Sequence, residues 1–323
     1  MKTRISLVLW CFLTALASQA AAQTFPAKPI RIVVPFPAGG TSDILTRLIG
    51  AKMTESWGQQ VLPDNRPGAN GNIGADMVAR AAPDGHTLVL MDVGNLAISP
   101  SVFAKMPFDI IKDFAPVTVV SYSPHILATH PSMPAKTVKE IIALAKARPG
   151  KLNYATGLGG APHMAGLMFA YRAGINWAYI PTKGGFANIL IVTTGEADLL
   201  FNGMLATLPH TKSGRLRLIA VSSEKRFPSL PDTPVVAEMP GLDGFVTGSW
   251  QGVLAPAKTP PEVVAKLQVE ISRIIQQPDM KEKLTSQGAD PIGNSPADMA
   301  KWLAAEKDRW AKLIKATGFK LEQ

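Results

Sequence analysis

The stretch Ile30-Arg31-Ile32-Val33-Val34 runs into Pro35-Phe36-Pro37-Ala38-Gly39-Gly40-Thr41-Ser42-Asp43, after which Ile44, Leu45, Leu48, Ile49, Met53 and Trp57 recur at helical spacing. A short apolar run, a glycine-bearing loop and an amphipathic helix make a strand–turn–helix unit. Gly39 and Gly40 carry no side chains, so backbone N–H groups at the helix start can approach a ligand. Those groups, with the helix dipole, favour an anion such as a carboxylate. The competing reading is that Thr41, Ser42 or Asp43 simply caps the helix, and Asp43 reads as a cap before it reads as a catalytic base.

The same grammar continues outward. Strands are predicted at 60–62 and 87–91 with a helix at 73–82 between them, then at 117–120 and 126–129, and a helix carries Val138, Ile141, Ile142 and Ala145 up to Pro149-Gly150. The unit then recurs: a strand at 152–156, the loop Gly157-Leu158-Gly159-Gly160, a helix at 161–173 and a strand at 177–180. Further strands fit 197–201, 216–221 and 249–254, and the C-terminal third is helical. Val263, Val264, Leu267, Ile271 and Ile274 mark one helix; a second opens on the capping box Ser295-Pro296-Ala297-Asp298 and buries Met299, Trp302, Leu303, Trp310 and Leu313. Strand–helix alternation implies an α/β fold with mixed, mostly parallel sheets flanked by helices. Two strand–glycine loop–helix units imply two lobes, each presenting a helix N-terminus at the carboxyl end of a strand. No low-complexity linker separates them, which favours lobes joined by short crossover strands.

Composition narrows the function classes. The chain has 323 residues, 33 Lys+Arg against 24 Asp+Glu, a formal charge of +9 and one Cys. That length suits two globular domains. The basic residues are scattered without a Lys/Arg run or interleaved aromatics, so a nucleic-acid partner is not expected. Residues 1–22 read as a secretory signal: Lys2 and Arg4, an apolar stretch at 5–16, and Ala20-Ala21-Ala22 as the cleavage site before Gln23. The apolar stretch is too short to span a bilayer. Cleavage after Ala22 removes Cys11 and lowers the charge from +9 to +7. A disulfide-free exported chain points to the periplasm.

Other constellations are weaker. The loop 157–163 lacks the third glycine of a dinucleotide fingerprint, having Pro162 there, and no acidic residue follows at the required distance. It still suits backbone capture of a small anion, and His163 could donate to one or serve only as a structural helix residue. His86, His125, His130 and His210 show no zinc spacing, so neither metal nor cofactor is expected. Neither Gly248-Ser249-Trp250-Gln251-Gly252 nor Gly293-Asn294-Ser295-Pro296-Ala297 fits a nucleophile elbow. Trp250 could line a pocket or pack in the core.

In order and spacing, several segments together resemble the periplasmic solute receptors of tripartite tricarboxylate transporters, the Bug family: residues 29–40 with Asp43; Asn65-Arg66-Pro67-Gly68-Ala69 with Gly71-Asn72-Ile73-Gly74-Ala75; Pro83-Asp84-Gly85; Lys112-Asp113-Phe114-Ala115-Pro116-Val117; 146–152; Leu230-Pro231-Asp232-Thr233-Pro234; and Ala255-Pro256-Ala257 with Thr259-Pro260. The resemblance spans essentially the whole mature chain. It implies a Venus-flytrap fold, with 23–124 and 246–323 in one lobe and 125–245 in the other. It also implies a small organic carboxylate as ligand, membrane permease subunits as partners, a monomer, and no enzymatic activity. Carried over by position, one pincer comprises Phe36, Ala38, Gly39, Gly40, Thr41 and Asp43, and the other Gly157, Leu158, Gly159, Gly160 and His163. Wall positions are Gly94, Asn95, Thr182, Lys183, Gly184 and Asn202. Three positions depart from the family pattern: Gly160 stands where Ser is common, Thr182 where Tyr is frequent and Asn202 where Asp is frequent. The neutral Asn202 favours an acid without an α-amino group. A ligand-presenting receptor for a signalling sensor is the alternative, with a periplasmic hydrolase behind it.

Overall fold

The computed structural model describes residues 25–227 and 230–317; the expected leader, its cleavage site and Cys11 lie outside them. The first lobe opens with β1 (Ile30–Val34), α1 (Thr41–Trp57), β2 (Val61–Asn65), a 3-10 turn (Ala69–Gly71), α2 (Asn72–Ala79), β3 (Thr87–Asp92) and α3 (Val93–Val102). The long β4 (Phe114–Thr129) leads to α4 (Val138–Ala147), β5 (Asn153–Thr156), α5 (Ala161–Ala173), β6 (Ala178–Pro181), α6 (Phe186–Thr193), β7 (Leu199–Gly203), α7 (Met204–Lys212) and β8 (Arg217–Val221). The chain returns through β9 (Gly248–Pro256), α8 (Pro261–Ile275), α9 (Pro278–Ser286), β10 (Asp290–Pro291) and α10 (Pro296–Thr317).

The strands run in the order β2-β1-β3-β9-β4-β7-β5-β6, with β8 and β10 also on β4. β1 pairs in parallel with β2 and β3, and β5 with β6 and β7, as expected of strand–helix units. The pairs made by β4 and β9 are antiparallel. The two strands expected at 117–120 and 126–129 are one 16-residue strand. Its residues from Phe114 to Pro124 pair with β9, and from His125 onward it pairs with β7 and β8. Pro124 reads as a break because it offers no N–H to a ladder; here it falls where the partners change.

Three helices have no counterpart among the sequence expectations. Helix α3 is buried at Val93, Leu96, Ala97 and Ile98 and contains Pro100, so it shows no polar stripe. Helix α6, Phe-Ala-Asn-Ile-Leu-Ile-Val-Thr, has the composition of a strand. Helix α7 contains Pro209. The capping box at α10 forms as expected: Asp298 N–H donates to Ser295 Oγ at 3.1 Å and Ser295 Oγ donates back to Asp298 Oδ2 at 2.7 Å. Met299, Leu303 and Trp310 are buried, while Trp302 and Leu313 are partly so.

Apolar clusters hold both faces of the first half-sheet. Ile30, Ile32, Leu88 and Leu90 pack under α1 and α8, and Val33, Val89 and Met91 under α3 and α10. Each such fully buried side chain stabilises by roughly 1.5–3 kcal/mol. The second half-sheet is held by rings: Tyr154 stacks on Trp177 at 4.8 Å, Trp177 on Phe169 at 5.5 Å, and Phe169 meets Phe245 edge-on. Tyr154 also donates to the carbonyl of Pro162 at 2.6 Å, which pins the first turn of α5 to β5.

Candidate functional site

Five helices begin around one cleft, four of them directly after a glycine that ends the passage from strand to helix. Gly40 precedes α1, Gly160 precedes α5, Gly185 precedes α6 and Gly203 precedes α7; none can supply a capping side chain. Only α3 is capped by the residue that precedes it, Asp92, whose carboxylate accepts from Gly94 N–H at 2.9 Å. A group from elsewhere in the fold takes one first-turn N–H in α5, that of Ala161 by Asn95 Oδ1 at 2.8 Å, and one in α7, that of Leu205 by Ser123 Oγ at 3.1 Å. First-turn N–H groups have no intrahelical acceptor, so an uncapped N-terminus keeps donors and a positive dipole end for a ligand. The cleft they surround offers about 40 Å³ to the centres of water molecules.

The two glycine loops are built alike. Gly39 (φ 86°) and Gly159 (φ 82°) occupy the left-handed region, which a residue with a Cβ enters only with strain. Three residues into each helix a side chain reaches back to that glycine. Asp43 Oδ2 accepts from Gly39 N–H at 2.9 Å, and His163 Nδ1 accepts from Gly159 N–H at 3.1 Å. Burial acts to raise the pKa of Asp43, but the hydrogen bonds from Arg47 and the Gly39 N–H outweigh it and hold the carboxyl below its ordinary range. Burial lowers the His163 pKa to about 4, so the ring is neutral. Its edge rests on Tyr179 at 4.7 Å. His163 thus supports Gly159 from beneath the loop and is not part of the cleft lining.

Across the cleft the lobes interlock. The Phe186 ring lies 3.4 Å from where a Cβ on Gly39 would stand, and Phe36 lies 3.7 Å from that point on Gly184. Asn95 Oδ1 accepts from Ala161 N–H at 2.8 Å, joining the start of α3 to the start of α5. Asn70, in the left-handed region at φ 53°, has its Oδ1 2.6 Å from the Cβ position of Gly160. A serine at 160, as the family pattern suggests, would collide with that amide. The missing hydroxyl is therefore matched by Asn70, whose Nδ2 is buried without an intramolecular partner.

The floor is a directed hydrogen-bond chain. Ser42 donates to Gln251 Oε1 at 2.6 Å, Gln251 Nε2 donates to Ser249 Oγ at 2.6 Å, and Ser249 donates to Asp92 Oδ2 at 2.7 Å. Burial pushes the Asp92 pKa up to about 6 against the pull of its donors, Ser249 and the Gly94 and Trp250 N–H groups. On the second lobe Asn202 has both amide groups engaged, Oδ1 by Asn188 at 3.4 Å and Nδ2 by Thr207 at 2.9 Å.

Of the residues singled out in the sequence, the cleft lining brings together Phe36, Gly40, Thr41, Asn95, Gly157, Gly184 and Asn202. Gly39, Asp43, Gly159, Gly160 and His163 shape the loops behind it. Thr182 lies outside the lining, where its hydroxyl accepts from Gly184 N–H at 2.8 Å and donates to Asn188. Ala38 and Lys183 are exposed and Leu158 half-buried, all outside the lining; a loop backbone turned inward leaves these side chains outward. Gly94 sits under the Asp92 carboxylate and lines a second cavity with Tyr122, Trp250 and Trp310. Trp250 does both things expected of it, packing on Trp302 at 5.0 Å and lining that cavity. Asn70, Asp92, His125, Asn188, Ser249 and Gln251 were not singled out for the lining. Asp92 alone carried a local signal, an Asp at a strand end before a helix start. Its buried carboxylate also means that the neutrality of Asn202 does not by itself decide against a ligand ammonium.

Residues 45–319 match the family model described as the tripartite tricarboxylate transporter family receptor. The chain belongs to that family. Protein BugT of Bordetella pertussis is 34% identical to this receptor over 324 residues, covering 99% of each chain. Among solved structures, an R. palustris protein described with adipate is 35% identical at a TM-score of 0.88, covering 92% of the receptor and 100% of that chain. The periplasmic binding protein BugD is 32% identical at a TM-score of 0.87, again covering 92% and 100%. The α/β, two-lobed reading of the sequence and its Bug-family resemblance thus stand. Among the described residues no group of three or more His, Cys, Asp or Glu could hold a metal ion, and no helix is long and apolar enough to cross a membrane.

Proposed function

We propose that the receptor captures a small organic carboxylate between its lobes in the periplasm and delivers it to the permease subunits of a tripartite tricarboxylate-type transporter. The observation that carries this reading is the convergence of four glycine-capped helix N-termini on a cleft whose lining contains no Lys or Arg. Such a wall stabilises negative charge through oriented N–H groups and dipoles. Asn70 Nδ2 adds one more donor. The R. palustris neighbour described with adipate supports a carboxylate over other anions. In this reading the signal is cleaved after Ala22, residues 23–124 with 246–323 form one lobe and 125–245 the other, and the receptor acts as a monomer. Closure brings Asn95 onto Ala161 and Phe186 onto Gly39, so ligand that engages both loops shifts the lobes toward the closed form.

Titration calorimetry on the mature chain tests it, using mono-, di- and tricarboxylates beside their methyl esters. Binding of an acid with loss of binding for its ester is the expected result. Heat with none of the acids would overturn it. Recovery of the bound acid unchanged is expected of a receptor, and turnover would point to an enzyme.

A further inference from the structure

Beside Asn70 Nδ2, one other buried polar atom of the cleft-lining residues has no hydrogen-bond partner among the described residues: Nε2 of His125. His125 is fully buried at the point where β4 changes partners. His125 lines both the cleft and the second cavity, whereas Thr247, which its Nδ1 meets at 3.1 Å, lines the second cavity only.

The neighbouring hydrogen bonds point to one tautomer of the ring. Ser222 Oγ lies 2.8 Å from the His125 carbonyl and 2.7 Å from the Thr247 carbonyl, so its single proton goes to these acceptors. Thr247 Oγ1 lies 2.9 Å from Ser222 Oγ, and that contact takes the Thr247 proton. Were the Thr247 proton turned to His125 instead, the Ser222 hydroxyl would have to leave both carbonyls and donate to Thr247 Oγ1. Nδ1 therefore donates to Thr247, and Nε2 holds a bare lone pair. Burial lowers the His125 pKa to about 3, which keeps the ring neutral.

Of the buried side-chain acceptors in this lining, His125 Nε2 is thus the one left without an intramolecular partner among the described residues, and only a proton-bearing group can satisfy it. A carboxylate oxygen cannot. A ligand hydroxyl can, and it brings its proton without adding a second charge to be desolvated.

We propose that His125 Nε2 accepts a hydrogen bond from a ligand hydroxyl, so that the cleft prefers hydroxycarboxylates to their deoxy counterparts. The proposal rests on the carboxylate reading above. A site built to bond a hydroxyl discriminates strongly against an analogue without it, because the buried partner is then left unpaired.

The experiment is calorimetry of matched pairs, lactate with propionate and malate with succinate, plus alanine and aspartate, on the wild-type chain and on His125→Phe and Thr247→Val. In the wild type the hydroxy member of at least one pair binds at least about tenfold more tightly than both its deoxy and amino counterparts. In His125→Phe the ratio falls to about twofold or less, and in Thr247→Val it shrinks because Nδ1 loses the acceptor that fixes the tautomer. Nitrogen NMR of the wild-type ring shows Nδ1 protonated and Nε2 bare, a readout that stands even where His125→Phe fails to fold. Equal affinity within both pairs, tighter binding of the amino acid, an Nε2-protonated ring, or a ratio unchanged in the folded variants would each overturn the His125 assignment alone. Failure of every acid to bind, with longer di- and tricarboxylates included, would overturn the carboxylate reading itself.

Discussion

The two glycine loops solve one geometric problem with unlike chemistry. Each places a left-handed glycine, then a glycine N-cap, then a helix, and each ties the first glycine's N–H to a side chain three residues into the helix. In the first loop that side chain is the Asp43 carboxylate, paired with Arg47; in the second it is the neutral, buried His163. The backbone path is therefore what both loops preserve, and the anchoring group is interchangeable provided that it accepts a hydrogen bond. Electrostatics differ in consequence. Asp43 places a negative charge in the first turn of α1 that Arg47 must offset, whereas the second loop leaves the dipole of α5 uncompensated.

The largest expected effect tests whether both backbones matter equally. Gly39→Val and Gly159→Val each force a Cβ into the left-handed region, costing roughly 1–3 kcal/mol of local strain, and Gly39→Val also presses on Phe186. Carboxylate affinity measured by calorimetry should fall at least about 100-fold in both, with circular dichroism unchanged. Loss in only one variant would make the loops unequal partners.

Acid separates their anchors. The folded pKa of His163, about 4, lies below the unfolded value near 6.5. The unfolded state therefore binds more protons between these values; the His163 contribution is complete above about pH 6.5 and is lost as pH falls toward 4. Asp43, lowered from 3.8, loses its contribution only as pH falls below that value. Urea titrations of the wild type and His163→Gln from pH 7 to 4 should differ in pH dependence by roughly 3 kcal/mol across that window. Parallel curves would show that His163 does not titrate as a buried anchor.

The smallest effect concerns charge in the first loop. Asp43→Asn keeps an acceptor for Gly39 N–H but loses the charge-assisted bond to Arg47, and should cost about 1 kcal/mol in a urea titration at pH 7. Arg47 is half exposed, so Arg47→Ala should cost less. A larger loss in Arg47→Ala than in Asp43→Asn would reverse the roles assigned to the pair.

The loops were legible in the sequence because their chemistry is local: a glycine at positive φ, a glycine N-cap and a helix period all fall within a dozen residues. The floor was not. Ser42 and Gln251 are 209 positions apart, and Ser249 and Asp92 are 157 apart, with nothing near either to announce the pairing. Asn70 could be understood only once Gly160 was seen to lack room for a side chain. Among the elements, α3 escaped because it is buried on too many sides to show a stripe. β4 was divided because a proline inside a run of Ser and Tyr looks like an end. The proposed function followed the same division, in that the proposed anion capture was readable from two loops, whereas the acceptor proposed at His125 depends on Ser222 and Thr247, distant in the chain.

The change of partners along β4 bears on the lobe closure proposed above. The chain passes between the half-sheets at residues 124–125 and again at 247–248, and these two passages run side by side. They are tied directly by His125 N–H to the Thr247 carbonyl at 3.1 Å and through Ser222, whose N–H donates to the His125 carbonyl at 2.9 Å and whose carbonyl accepts from Thr247 N–H at 3.0 Å. A pair of laced ribbons flexes readily across its flat face and resists shear and torsion. For the closing proposed above, such a hinge predicts that the jaws swing along a single arc, like a book on its spine, and that every closing returns Asn95 to Ala161 and Phe186 to Gly39 in the same alignment.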